Sequence, residues 1–244
     1  MYGFSYMIKK FLSAVGFLTI FPVVKREFEN CAIFFPLVGL FIGGFLISLN
    51  YFGSFLFSKN VVDMLVIVSL TIITGGLHLD GFADMLDGFY AGKNKNDTLR
   101  IMDDAHIGAM GVIGIFCILG LKFFALQSIP QKILYPSLLL FPTLSRWSLV
   151  FACTISKSAK NEGLGKIFID TVSKKDFSIA TIAAVLISFL IFGLKGFFIL
   201  IAVFFVSFIF LKLISKKIGG ITGDILGALN EIVETLVLLI LCMN

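Results

Sequence analysis

The segment His78-Leu79-Asp80-Gly81-Phe82-Ala83-Asp84-Met85-Leu86-Asp87-Gly88 carries three carboxylates at i, i+4 and i+7. On a helix those positions share one narrow stripe. Like charges held that close repel, and the cost grows near lipid unless a cation lies among them. One reading is a solvated acidic helix end. The other is a Mg2+ site on Asp80, Asp84 and Asp87, because Mg2+ takes oxygen ligands and is usually held by one or two carboxylates together with substrate phosphates. The apolar positions opposite, Leu79, Phe82, Ala83 and Leu86, and the glycines that flank the stripe favour the metal site. Farther along, Asp103, Asp104 and His106 follow Lys93, Lys95 and Arg100, which supply cations for anionic groups. That mixture suits phosphate chemistry.

A third cluster, Gly219-Gly220-Ile221-Thr222-Gly223-Asp224, opens the last apolar stretch. A glycine-rich turn feeding a helix presents free backbone N–H groups and the positive end of the macrodipole to an anion. A flexible turn with Asp224 as N-cap is the structural alternative, and the residues alone leave both open. Asn230, Glu231 and Glu234 carry the polar stripe of Asp224 on into apolar sequence, where carboxylates are costly and point to function. Arg146, inside another apolar stretch, is a partner for one of them or for a substrate phosphate. Gly108, Gly111 and Gly114, three apart, read as a close helix-packing face. Neither of the two common glycine-rich nucleotide fingerprints is present.

These clusters must be positioned by elements suited to lipid. Of the 244 residues, 58% are hydrophobic and 14% charged, and 29 are Phe, well away from the composition of soluble domains. A spanning helix needs about 20 mostly apolar residues, and seven stretches qualify: 33–57, 61–82, 107–127, 133–154, 177–194, 196–214 and 224–243. The expected fold is an all-α integral membrane protein, a single polytopic domain over 1–244 of about seven transmembrane helices. Residues 4–22 are expected to lie at the interface, and the fifth and sixth stretches to form a tight hairpin around Gly193, Lys195 and Gly196. Cys31, Cys117, Cys153 and Cys242 are far apart and read as packing residues, and two histidines alone make no zinc site. Seven spans put fifteen of the 20 basic residues on one side, Lys25 and Arg26 among them, and only Lys59, Lys132 and Lys195 on the other. By the positive-inside rule the first side, which holds the long loops 83–106 and 155–176, is cytoplasmic. The formal charge of +5 averages over two compartments and is no nucleic-acid footprint.

The run TGGLHLDGFADMLDG at 74–88 resembles the signature of the cobalamin synthases, the adenosylcobinamide-GDP ribazoletransferases. FLTIFP at 17–22, FPLVGL at 35–40, IMDDAHIG at 101–108 and GGITGDILGA at 219–228 agree with the family in order, so the resemblance covers nearly the whole chain. Ile20, Asp103 and His106 stand where the family often has basic residues, which makes Asp104 the stronger of its pair. The resemblance implies transfer of the adenosylcobinamide-phosphate group from adenosylcobinamide-GDP to α-ribazole or its 5′-phosphate, with GMP leaving and Mg2+ required. In that reading Asp80, Asp84, Asp87 and Asp104 hold the metal, and Asp87 or Asp104 accepts the hydroxyl proton, with His106 as second choice. His78, Lys93, Arg100, Arg146, Gly220, Thr222, Gly223, Asp224, Asn230, Glu231 and Glu234 contact substrate. Membrane lipid is the other implied partner, the cytoplasmic membrane the implied location, and the oligomeric state is left open.

Two other classes are compatible with acidic clusters on membrane helices. A CDP-alcohol phosphotransferase runs the same reaction type, but its D-G-x-x-A-R run is absent, since Asp84 follows Ala83 where Arg would stand. A transporter also carries intramembrane carboxylates, yet here they collect toward one face and no inverted pair of broken helices is apparent.

Overall fold

The computed structural model describes residues 2–22 and 29–243, so Lys25 and Arg26 of the charge count lie outside the described residues. Among these residues regular structure is helical: α1 (Tyr2–Leu18), α2 (Phe35–Gly53) behind a 3-10 turn at Ala32–Phe34, α3 (Lys59–Ile73), α4 (Leu77–Ala91), α5 (Lys95–Met102), α6 (Ala109–Ser128), α7 (Gln131–Ile155), α8 (Leu164–Thr171), α9 (Lys174–Ile218) and α10 (Gly223–Cys242). The all-helical membrane fold read from composition is what forms. Among the described residues five helices are long and apolar enough to cross a bilayer, or six if α3 and α4 count as one bent span.

The organising element is α7, buried almost without interruption from Leu140 to Cys153 and packed against α2, α9 and α10. Lipid offers no hydrophobic drive between helices, so close backbone approach has to supply the contact energy. In α2 this falls to Gly39 and Gly43, a small-xxx-small pair against whose positions lie the carbonyls of Pro142 and Leu138 in α7. Outward faces are the reverse of a soluble protein's: Phe116 is 80% and Leu190 82% exposed.

Two expected spans took a different form. A continuous helix over 61–82 does not exist: α3 ends at Ile73, Gly75 and Gly76 adopt left-handed φ of 65° and 69°, and α4 leaves at 85° to α3. Left-handed backbone costs about 1–2 kcal/mol for any residue with a Cβ, so the Gly-Gly pair sets the bend. The hairpin over 177–214 did form, inside α9. A straight 45-residue helix would be about 68 Å long, twice the hydrocarbon core. The chain instead breaks at Gly193 (φ 56°, ψ −137°), and a Cβ on Gly196 would collide with the Ser188 carbonyl, so limbs 174–192 and 194–218 run back along each other. α1 buries Ala14, Val15 and Leu18 and leaves Met7, Ile8 and Leu12 exposed.

Loops assigned to one side do meet. Ile221 N–H donates to the Lys157 carbonyl (2.9 Å) and Ala159 N–H to that of Ile221 (2.8 Å), tying 156–159 to the start of α10. Lys217 donates to the Phe89 carbonyl, and Ile20 N–H to that of Ile73. At the opposite end Gln127 donates to Asn60 (2.9 Å), joining the end of α6 to the start of α3.

Candidate active site

The bend after α3 throws α4 across the mouth of the bundle, against the start of α10 and the N-terminal half of α6. Its crossing with α10 is backbone on backbone. A Cβ at Gly81 would sit 2.7 Å from Asp224 Cα, and one at Gly227 would sit 3.1 Å from His78 Cα. That contact brings Asp80 and Asp84 to Asp224. The charges of Asp80, Asp224 and Asp87 all act on Asp84, opposed by Lys160. Asp80 is exposed and Asp84 half-buried, so both are within reach of a ligand. The predicted acidic stripe therefore exists, but its partner comes from α10 and not from the loop after it.

Asp87 has another role. Its Oδ2 accepts from Gly108 N–H (2.7 Å) and its Oδ1 from Gly111 N–H (2.9 Å), so both oxygens cap the first turn of α6. Those amides are among the four that a helix leaves without internal partners, and a carboxylate there also meets the positive end of the dipole. Asp104 points elsewhere: its Oδ1 accepts from the His106 backbone N–H (3.0 Å) and lies 2.8 Å from His106 Nδ1, on a turn where His106 is 93% and Asp104 53% exposed. Those bonds hold the Asp104 carboxyl below the usual carboxylate range. The four predicted metal ligands thus do not close into one cage, and among the described residues no three His, Cys, Asp or Glu side chains are grouped to hold an ion unaided. Gly108, Gly111 and Gly114 do form the expected packing face, with Asp87, Ala83 and Leu86 of α4 against them.

Of the predicted cations, Lys93 is exposed in the loop before α5 and Arg100 pairs with Asp97 (3.1 Å) on the outer face of α5. The cation at the site is one that spacing did not single out. Lys160 Nζ reaches Asp103 Oδ1 (2.6 Å) and Asp224 Oδ2 (3.2 Å). Burial works against its charge, but the hydrogen bond to Asp103 and the charge of Asp224 outweigh it and raise its pKa. The cap of α10 is Thr222, whose Oγ1 accepts from Ile225 N–H (3.3 Å) and donates to Asp224 Oδ2 (3.1 Å). Asp224, the predicted alternative cap, is freed to face the site. Gly220 is packed on the 157–159 backbone and Gly223 on Gly165 of α8.

Two cavities adjoin this cluster. One, of about 310 Å³, has walls from α1, α7, α8 and α10, with His78, Asp80 and Asp224 at its polar edge. The other, about 700 Å³ and strongly polar, is lined by Lys95, Asn96, Asp103, Lys160, Asn161 and Glu162. The Lys160–Asp224 pair stands between them.

Deeper in the bundle the structure gathers four predicted substrate contacts into one buried network, in which Arg146 Nε and Nη2 and Asn230 Oδ1 have no hydrogen-bond partner among the described residues. Lys122 Nζ donates to Glu231 (2.6 Å) and Glu234 (2.5 Å), Arg146 pairs with Glu234, and Asn230 donates to Glu234 (3.1 Å). Arg146 and Glu234 are 0% exposed, Asn230 0% and Glu231 4%. Two cations neutralise two carboxylates, so each charge is paired as burial requires. Arg146 is therefore the partner of a helix carboxylate, and this group supports α10 from below. His78, 4% exposed, sits above it with Nδ1 unpartnered among the described residues.

Comparison with known proteins gives one family. The model of the family described as cobalamin-5-phosphate synthase matches residues 10–242. The adenosylcobinamide-GDP ribazoletransferase of Thermoanaerobacter pseudethanolicus is 38% identical over 235 residues, covering 93% of this chain and 94% of its own. That of Acetivibrio thermocellus is 37% identical over 240 residues (96% and 97%), and that of Clostridium botulinum 39% over 247 residues (97% and 98%). No solved structure matches.

Proposed function

The chain belongs to the cobalamin-5-phosphate synthase family, and on that premise we propose that it transfers the adenosylcobinamide-phosphate group of adenosylcobinamide-GDP to α-ribazole or its 5′-phosphate and releases GMP. The observation that carries this reading is the meeting of Asp80, Asp84 and Asp224 with Lys160 where α4 crosses the start of α10. In the proposed reaction a ribazole hydroxyl oxygen attacks the phosphorus on the cobinamide side of the pyrophosphate. The new P–O bond forms as the bridging P–O bond breaks, GMP leaves with that electron pair, and the hydroxyl proton passes to a carboxylate.

Asp84 takes the proton in this scheme, because Asp87 is spent on the α6 amides and Asp104 on the His106 turn. Lys160 and the amides at the start of α10 face the charge on the pyrophosphate. Asp80 and Asp224 offer hard oxygen donors next to Asp84, a set that suits Mg2+ once substrate phosphates complete the shell. When bound, the ion supplies charge neutralisation at the pyrophosphate. The network of Lys122, Arg146, Glu231 and Glu234 positions α10 without touching substrate. In this reading the site faces the cytoplasm from the cytoplasmic membrane, and what supports it is that the side of the chain to which its loops belong carries fifteen of the 20 Lys and Arg.

The test is GMP release by detergent-purified protein given both substrates and Mg2+, beside Asp84→Asn. Release that needs all three components and vanishes in a folded variant supports the reading. Absence of release in folded unaltered protein sinks it. Chelation with EDTA is expected to stop turnover and readdition of Mg2+ to restore it.

A further inference from the structure

We propose that the groove left between α6 and the second limb of α9, beneath α4, holds one acyl chain of a phospholipid with an anionic head group, and that Lys216 and Lys217 hold that head group. The inference rests neither on the transfer reaction nor on its substrates.

α6 packs on α3, α4 and α10, and α9 on α7 and α10. Between them lies a groove of about 450 Å³. Phe82 and Leu86 of α4 roof it, Cys117 and Leu121 of α6 and Val206 of α9 form its sides, and Ile232 to Leu239 of α10 its floor. Cys117 is exposed, as are Leu121 (49%) and Leu239 (38%), so the groove opens sideways toward lipid. Ile232 to Leu239 runs about 10 Å along α10, as Gly114 to Leu121 does along α6, which is the direction of acyl chains in a bilayer. The one polar side chain in its lining, Thr235, donates to the Glu231 carbonyl (2.9 Å) and offers the groove no free hydrogen. A polar ligand would leave its own groups unpaired there. A run of methylenes loses nothing.

Any apolar wall of a membrane protein meets lipid, and the charge at one end is what selects this one. Val206, Phe210, Leu213 and Lys217 recur at i, i+4, i+7 and i+11, one face of α9. On α4, Phe82, Leu86 and Phe89 recur at i, i+4 and i+7. The two faces converge where Lys217 Nζ stands 4.6 Å from the Phe89 ring centroid and donates to the Phe89 carbonyl (2.6 Å). An ammonium has three N–H donors, so Lys217 keeps two for a phosphate. Lys216 beside it is exposed, and among the described residues neither is paired with a carboxylate. Basic side chains at the end of an apolar helix attract anionic lipid. The roof stripe also lies opposite Asp80, Asp84 and Asp87 on α4, so a lipid here supports the acidic helix from below.

The test is native mass spectrometry of full-length protein in neutral detergent, titrated with phosphatidylglycerol or with phosphatidylcholine of the same acyl chains. Unaltered protein is expected to retain one phosphatidylglycerol with about tenfold preference over phosphatidylcholine. Lys216→Gln with Lys217→Gln is expected to lose that preference. Cys117→Trp, which fills the groove from an exposed position, is expected to lose the retained lipid while the lysines stay in place. Equal retention of the two lipids by unaltered protein overturns the proposal, as does a preference that survives the lysine pair or retention that survives Cys117→Trp. A dimer without lipid that Cys117→Trp dissociates would assign the groove to a second copy of the chain and overturn it equally. Should either variant fail to fold, the comparison of head groups on unaltered protein decides alone.

Discussion

Asp84 and Asp87 are three positions apart on one helix, yet their side chains do different work because only Asp87 faces amides that need an acceptor. Asp84→Asn is expected to abolish GMP release while leaving the thermal midpoint nearly unchanged. Asp87→Asn exchanges one acceptor for a donor and removes a negative charge from the start of α6, which is expected to cost about 1–2 kcal/mol, read as a lowered midpoint in detergent. Loss of turnover in Asp87→Asn with stability intact would return Asp87 to the metal or proton-accepting role. At Asp104 the folded pKa is depressed by hydrogen bonds from His106. Its contribution to the 103–107 turn is therefore present above the ordinary carboxylate range and lost as pH falls through the lower folded value. Amide exchange at His106, corrected for intrinsic pH dependence, should stay protected at neutral pH and lose protection only in that acid range.

At the scale of helices, α10 is held in register by charges that the apolar environment makes obligatory. Removing one partner of a buried ion pair strands the other, at about 3–5 kcal/mol. Lys122→Met is expected to destabilise the bundle by that order in thermal unfolding, and Lys122→Met with Glu231→Gln to recover part of the loss. Additive losses in the pair of variants would mean that the network is not coupled. The α9 reversal depends on the backbone that Gly193 alone supplies among its neighbours. Gly193→Ala forces a Cβ into a sparsely allowed conformation, at about 1–3 kcal/mol, and should lower the midpoint without altering the KM of either substrate, since the turn is at the end remote from the site.

For the molecule as a whole, the placement of the loops makes a sided prediction. A cysteine introduced at Asn161, in a background lacking the four native cysteines, should react with an impermeant maleimide only when the cytoplasmic face is exposed, and one at Lys132 only from the other face. The reverse pattern would invert the proposed orientation. The bilayer also explains why the site is built as it is: crossing helices bring loops from distant parts of the chain to one mouth, and α4, turned by the Gly75–Gly76 bend, joins them across it.

Much of this was legible in the residues themselves. Membrane class follows from the apolar runs, because no other solvent tolerates them, and the α9 hairpin follows from a run too long to cross once with glycines at its middle. The acidic stripe on α4 is a matter of period, which sequence spacing fixes by itself, and the 74–88 run carried the family. What spacing could not supply was which side chains meet across elements. The bend that breaks 61–82 depends on Gly75 and Gly76 taking left-handed φ together. The roles of Asp87, Thr222 and Lys160 depend on which amides and carboxylates face them. Arg146 and Glu231 read alike as phosphate and substrate contacts until packing closed them against Glu234 and Lys122. Local pattern is set by the chain's own geometry, whereas pairing is set by competition among all the polar groups that a low-dielectric interior forces to find partners, and that competition is decided only in three dimensions.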